Sequence, residues 1–349
     1  MRPPARAALL ALALALLPAC ASLEAGDPAS PDPSGAASAS ATPEETAAPR
    51  TTIRVASLKG PTTMGLVGLM ADEAGEGRQD YDVTMYGTPD EVVPLLTQGQ
   101  VDVALLPANL ASVLYNRTLT DDGAQVQVAA INTLGMLQVL EQGDTVDSIE
   151  DLAGRTVYAT GKGTTPEHVL NHLLVSHGLD PATDLTVEYK SEATEVAALL
   201  ASRPDAIGVL PQPYVTVLQT QNPAIRTALD LTEEWAAVTP GSELVTGVVV
   251  VRTGFVAEHP EAFEDFLLDY EASTAYTTDE PAAAAVLIAD AGLTPSAAVA
   301  EAAIPACHLT YVAGERLQTL LGGYLQVLFD ADPASVGGSL PGDDFYYRP

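Results

Sequence analysis

The chain has 349 residues, 47% hydrophobic and 17% charged, a balance that fits a folded protein of two lobes and excludes a disordered chain. Its 15 Lys+Arg against 46 Asp+Glu leave a net charge of −31, a field that repels nucleic acid and anionic membrane surfaces. The two cysteines, Cys20 and Cys307, stand in unrelated contexts, so no cysteine cluster points to a zinc or iron–sulfur site.

Residues 1–20 read as an export signal. Arg2 and Arg6 form a positive start, and the uncharged Ala/Leu stretch from Ala7 to Leu17 is too short to span a bilayer. The stretch ends in Leu17-Pro18-Ala19-Cys20, which is similar to a bacterial lipobox, and Cys20 is the expected lipidation site. Each buried acyl CH2 contributes about 0.8 kcal/mol, so a multiply acylated cysteine is a durable anchor. Residues 21–50 are mostly Ala, Ser, Pro, Gly, Thr and acids, a composition that buries no core and predicts a flexible tether.

From Thr51 onward strands alternate with helices. The predicted strands are Ile53–Leu58, Asp82–Tyr86, Val101–Leu106 and Gln125–Ile131, with a helical stretch from Met64 to Ala71. Thr88-Pro89-Asp90-Glu91 is a helix start, with Thr as N-cap and Pro at N1; Pro94 is expected to kink or restart that helix. A second set follows: strands Gly135–Leu140, Arg155–Thr160, Leu185–Tyr189 and Ala206–Leu210, and helices Ser148–Leu152, Pro166–His177 and Thr194–Ala201. Val245–Val251 is the most continuous β-branched run. After it the pattern turns helical over His259–Thr274, Pro281–Ala291 and Gly314–Phe329, then loop-like to Pro349. Such alternation argues for parallel strands and βα units.

Ligands of open α/β sheets bind beyond the carboxyl ends of the strands. Here those ends are Lys59–Thr63, Pro107–Asn109, Gly161–Thr165 and Leu210–Gln212. All are rich in residues that let backbone approach a ligand. Helix N-termini offer N–H groups and partial positive charge to anions, so Lys59, Thr62 and Thr63 in one half, and Gly163, Thr164 and Thr165 in the other, are candidate ligand contacts. Asn109, Asn132, Thr133 and Gln212 are candidates because they follow strand ends. Tyr214 is a candidate for stacking on a planar ligand.

Ala56 to Gly65, Pro107 to Ala111, Tyr158 to Glu167, Leu210 to Tyr214 and the closing Gly337 to Tyr347 together resemble the solute-binding proteins of ABC importers. The resemblance is to the nitrate/sulfonate/taurine and thiamine-pyrimidine-precursor group, and it covers the body from about Thr52 to the end. It implies an α/β periplasmic-binding-protein-like fold of type II, with two lobes joined by two hinge crossings and a ligand cleft between them. The crossings are expected near Ile131–Gly135 and Val249–Arg252, so that residues 51–131 with 252–349 form one lobe and 132–251 the other. It further implies a lipid-anchored extracytoplasmic monomer, without catalytic residues or cofactor. Such a protein captures a small anionic or nitrogenous solute by lobe closure and delivers it to a permease with its ATPase. A sensory binding subunit is the alternative. A thiamine-pyrimidine-synthase-like enzyme is a weaker one, because its cysteine-rich iron motif is missing here.

Three other patterns carry less. Gly161-Lys162 is not a Walker A loop, because Gly163 follows the lysine. His168 and His172 sit at i, i+4 without a clear third metal ligand. Cys307 is a lone thiol read as a core residue rather than a nucleophile.

Overall fold

The computed structural model describes residues 50–71 and 77–349. The expected signal, most of the tether and the lipidation site at Cys20 lie outside the described residues. The first set of elements is β1 (Thr52–Leu58), α1 (Pro61–Met64), α2 (Val67–Met70), β2 (Asp80–Tyr86), α3 (Pro89–Thr97), β3 (Val103–Pro107), α4 (Ala108–Thr118) and β4 (Val126–Leu134). The second is β5 (Leu137–Gln142), β6 (Thr156–Thr160), α5 (Thr165–Ser176), β7 (Thr186–Lys190), α6 (Ala193–Ser202), β8 (Ile207–Pro211), α7 (Tyr214–Gln221), β9 (Ile225–Asp230) and α8 (Leu231–Val238). The chain closes with β10 (Val245–Arg252), α9 (Thr253–Glu258), α10 (Pro260–Asp279), α11 (Pro281–Asp290), α12 (Ala297–Ala303), β11 (Leu309–Val312) and α13 (Gly314–Ala331).

Two sheets result. One runs β11-β4-β10-β3-β1-β2 and the other β7-β6-β8-β5-β9. In each, three consecutive strands are parallel (β1, β2, β3 and β6, β7, β8), and one antiparallel strand lies beside the third of them. That inserted strand is the one the chain enters on crossing over: β5 after β4, β10 after α8. The two lobes thus repeat one strand order, and each presents the carboxyl ends of three parallel strands.

The run Val248–Val251 in β10 is buried on both faces, which is why it reads as continuous β-branched residues rather than alternating ones. One face of the larger sheet packs Ile53, Val55, Leu105 and Val249 against Phe263, Phe266 and Tyr270 of α10. The other joins a core that continues into the second lobe, where Val139, Val157 and Val209 pack with Trp235 of α8 and Tyr324 of α13. The far side of the smaller sheet buries Leu140 and Leu210 under Val196 and Leu200 of α6 and Leu218 of α7.

The first crossing, at Gly135 and Met136, lies at the end of the expected Ile131–Gly135 stretch, while the second differs from expectation. β4 extends to Leu134, so Asn132 and Thr133 lie inside a strand and not beyond its end. The boundary expected at Val249–Arg252 falls within β10, whose whole length pairs with β3 and β4 of the first sheet. The chain therefore returns to the first lobe through residues 239–244. A β-branched run has no feature that tells which sheet it joins; only its partners decide. At the first crossing the Thr246 hydroxyl donates to the Leu134 carbonyl at 2.6 Å, and the His308 ring bonds the Gly135 carbonyl. The helical stretch from Met64 is also broken, into α1 and α2, with Gly65 and Leu66 between them. Pro94 sits inside α3 without ending it.

Candidate functional site

The carboxyl ends of β1, β2 and β3 face those of β6, β7 and β8 across a cavity of about 460 Å³ lined from both lobes. Each wall is a strand-to-helix turn. After β1, Lys59 and Gly60 lead into α1, and the hydroxyls of Thr62 and Thr63 both donate to the Leu58 carbonyl, at 2.8 and 2.7 Å. After β2, the N–H groups of Gly87 and Thr88 donate to the Glu91 carboxylate at 3.1 and 3.0 Å, a capping box that closes the start of α3. After β6, Gly161 and Gly163 both take φ of 75°, and the Thr164 hydroxyl donates back to the Gly161 carbonyl at 2.7 Å. After β7, Glu192 caps α6. After β8, a cis Gln212–Pro213 bond precedes Tyr214 at the start of α7.

The charge placement is uneven. The chain has three lysines, and Lys59, Lys162 and Lys190 all line this one cavity. Lys190 is held by Glu188 at 3.0 Å and lies over the Tyr158 ring, 5.4 Å from its centroid. Lys59 and Lys162 are exposed to the cavity and, among the described residues, form no ion pair. Asp90 and Glu192 share the wall with them. Burial, reinforced by Glu167, pushes the Tyr189 phenol up, and burial and Glu192 do the same to Tyr214, so both line the cavity as neutral hydroxyls.

Five of the eleven expected contacts line the cavity: Lys59, Thr62, Thr164, Thr165 and Tyr214. The other six do not. Thr63 is fully buried, its hydroxyl shared between Leu58 and Ser57. Asn109 is buried and bridges the lobes: its amide donates to the carbonyls of Ser335 at 3.0 Å and Gly163 at 3.4 Å, and its oxygen accepts from Thr165. Asn132 accepts from Thr133 within β4. Gln212 accepts from the Thr216 hydroxyl at 2.8 Å, a bond local to α7. Gly163 supplies its N–H to Glu167. These residues hold the walls in shape. Thr62 and Thr164 have already committed their protons to backbone carbonyls, so they offer lone pairs rather than donors.

Sequence reasoning missed Thr88, Asp90, Lys162, Lys190, Glu192 and Thr246. All but Thr246 lie at or just beyond the carboxyl end of a parallel strand, and those at β2 and β7 were recoverable by applying one rule to every strand. Elsewhere, His172 packs against Trp235 with the rings tilted by 48° and their centroids 4.9 Å apart, and bonds the Thr239 hydroxyl. Burial holds His168 and His172 below the usual imidazole range. Burial also pushes the Cys307 thiol up to about 12, a value at which it is not a nucleophile near neutrality. Among the described residues no cluster of three or more His, Cys, Asp or Glu side chains is placed to hold a metal ion, and no helix is long and apolar enough to cross a membrane.

A family model described as NMT1/THI5 like matches residues 78–284. A crystal structure described as an ABC transporter from Parabacteroides distasonis superposes with a TM-score of 0.70 at 22% identity, covering 85% of this chain and 99% of its own. The periplasmic aliphatic sulphonate binding protein SsuA from Escherichia coli gives 0.67 at 15% identity, covering 86% and 93%. The periplasmic nitrate-binding protein NrtA from Synechocystis gives 0.57 at 11% identity, covering 77% and 74%. No curated protein matches the chain in sequence. The two-lobed architecture is thus that of periplasmic binding proteins.

Proposed function

The chain belongs to the NMT1/THI5-like family, and on that premise we propose that it is the solute-binding subunit of an ABC importer, taking a small anion in the cleft between its lobes. One observation carries the reading. In a chain with 46 acidic residues, all three lysines line one cavity, and two of them have no carboxylate partner among the described residues. Unpaired ammonium groups beside the N-terminus of α5 favour a sulfonate, nitrate or similar acceptor-rich group. The neutral hydroxyl of Tyr214 adds a donor that does not depend on charge.

Lobe closure is the means of signalling. A ligand that touches both lobes stabilises the closed arrangement by the difference in its affinity for the two states, and a permease with its ATPase reads that state. The export signal and a lipidated Cys20 would hold the protein at the outer face of the cell membrane. We propose no chemical step on the ligand.

The test is a calorimetric titration of the chain with ethanesulfonate, taurine, nitrate and an aminopyrimidine. The expected result is saturable binding of one of the anions, weakened at least tenfold by Lys162→Ala. Binding confined to the uncharged pyrimidine, or anion binding indifferent to Lys59→Ala and Lys162→Ala, would sink the reading.

A further inference from the structure

A second cavity, of about 530 Å³, adjoins the cleft and shares Lys59, Glu192 and Tyr214 with it. One wall is α6, where Thr194, Ala197, Ala198 and Ala201 stand at the i, i+3, i+4, i+7 spacing of a single helix face. The facing wall is α7, with Val217 and Leu218. Both helices belong to the second lobe, while the loop Gly292–Pro295, between α11 and α12, closes the space from the first. Among the described residues, none beyond the shared ones brings a charged side chain to this cavity.

We propose that this chamber is a second subsite, which takes the uncharged, mainly aliphatic arm of an elongated anion whose charged end sits among the lysines. The inference rests on the anion reading given above. Three features support it. The two cavities are neighbours, with Lys59, Glu192 and Tyr214 at their common boundary. Their chemistry is complementary: the first gathers the three lysines, while the second adds to the shared residues alanine, valine and leucine surface with only the uncharged polar groups of Thr194, Gln221 and Thr294. Its walls also come from both lobes, so an arm lying there adds to the contacts that favour closure.

The test compares ethanesulfonate, butanesulfonate and octanesulfonate by calorimetry on the whole chain. A methylene taken from water contributes about fourfold in affinity, so the wild-type series should tighten at least tenfold from the two-carbon to the eight-carbon probe. Ala198→Trp and Ala201→Trp, both at exposed helix positions, fill the chamber. They should abolish that gain while ethanesulfonate binds as before. Equal affinity along the wild-type series, or a gain that survives both substitutions, overturns the second subsite and leaves the anion reading standing. If none of the three probes binds, this inference fails, and the anion reading is then decided by nitrate and taurine.

Discussion

Gly161 shows how much of the cleft depends on single backbone positions. Its φ of 75° lies in the left-handed region, and a Cβ there would sit 2.7 Å from the Thr164 hydroxyl and 2.9 Å from the Pro166 ring. The turn that places Lys162 and Thr164 therefore requires glycine twice over, for conformation and for space. Gly161→Ala is expected to cost about 1–3 kcal/mol of stability. It should also weaken binding of an anionic probe at least tenfold, because Lys162 and the start of α5 move with the turn. Chemical denaturation and calorimetry on the same variant check both halves. The same turn was legible in the sequence from Gly161-Lys162-Gly163-Thr164, whereas the burial of Thr63 and Asn109 was not. A threonine beside a helix start reads alike whether its hydroxyl faces a cleft or, as here, a backbone carbonyl.

At the level of elements, three strands of the first sheet are tied by one carboxylate. Asp102, just before β3, accepts from Arg54 of β1 at 2.7 and 2.9 Å and from Arg252 of β10 at 2.9 Å. Burial pushes this carboxyl up, but the bonds from Arg54 and Arg252 outweigh it and hold it below the usual carboxylate range. Glu141 of β5, buried but bonded by Thr145, the Val146 N–H and Arg226, is held low in the same way. In both cases the unfolded chain binds protons first as pH falls. The stability they contribute is fully present above the ordinary carboxylate pKa, near 4, and is lost as pH falls through the lower folded-state values. Wild-type stability should thus decline steeply only below about pH 4. Asp102→Asn should cost about 3 kcal/mol at neutral pH, near the low end for a broken buried pair because both arginines are partly exposed. Its acid limb should be shallower than the wild type's. Urea unfolding from pH 3 to 7 measures both, and parallel wild-type and variant curves would contradict the assignment.

At the level of the molecule, the two lobes share a core as well as a cleft. Trp235 of α8 lies against Tyr324 of α13, with ring centroids 5.5 Å apart, so the second lobe packs on a helix from the first. The closure proposed above would then turn about that contact and the two crossings. The first crossing is tight: a Cβ on Gly135 would meet Thr232 Oγ1 at 2.3 Å and Leu244 at 3.0 Å. Gly135→Ala is expected to destabilise by about 1–3 kcal/mol. Because the Thr232 hydroxyl is buried without a hydrogen-bond partner among the described residues, Thr232→Ala removes the nearer obstruction without breaking a bond. The double variant should recover more than half of the loss, a coupling that a double-mutant cycle reads directly. Additive losses would show that the crossing tolerates the methyl group and that its strain lies elsewhere.

The sequence by itself determined the alternation of strands and helices, the strand-to-helix turns after β1, β3, β6 and β8, and the family resemblance. Each of these is written in local signals: hydrophobic period, N-caps, prolines at N1 and glycines at tight turns. Tertiary structure alone decided that β10 returns to the first sheet, and that the turns after β2 and β7 bring Asp90, Lys190 and Glu192 to the same cavity as Lys59 and Lys162. It also decided that Asn132 and Thr133 are strand residues. The reason is physical. A strand buried on both faces carries the same apolar run whichever sheet it joins, so partner and register come from pairings distant in the chain. The meeting of three lysines, spread over more than a hundred residues, exists only once those pairings have folded two lobes against each other.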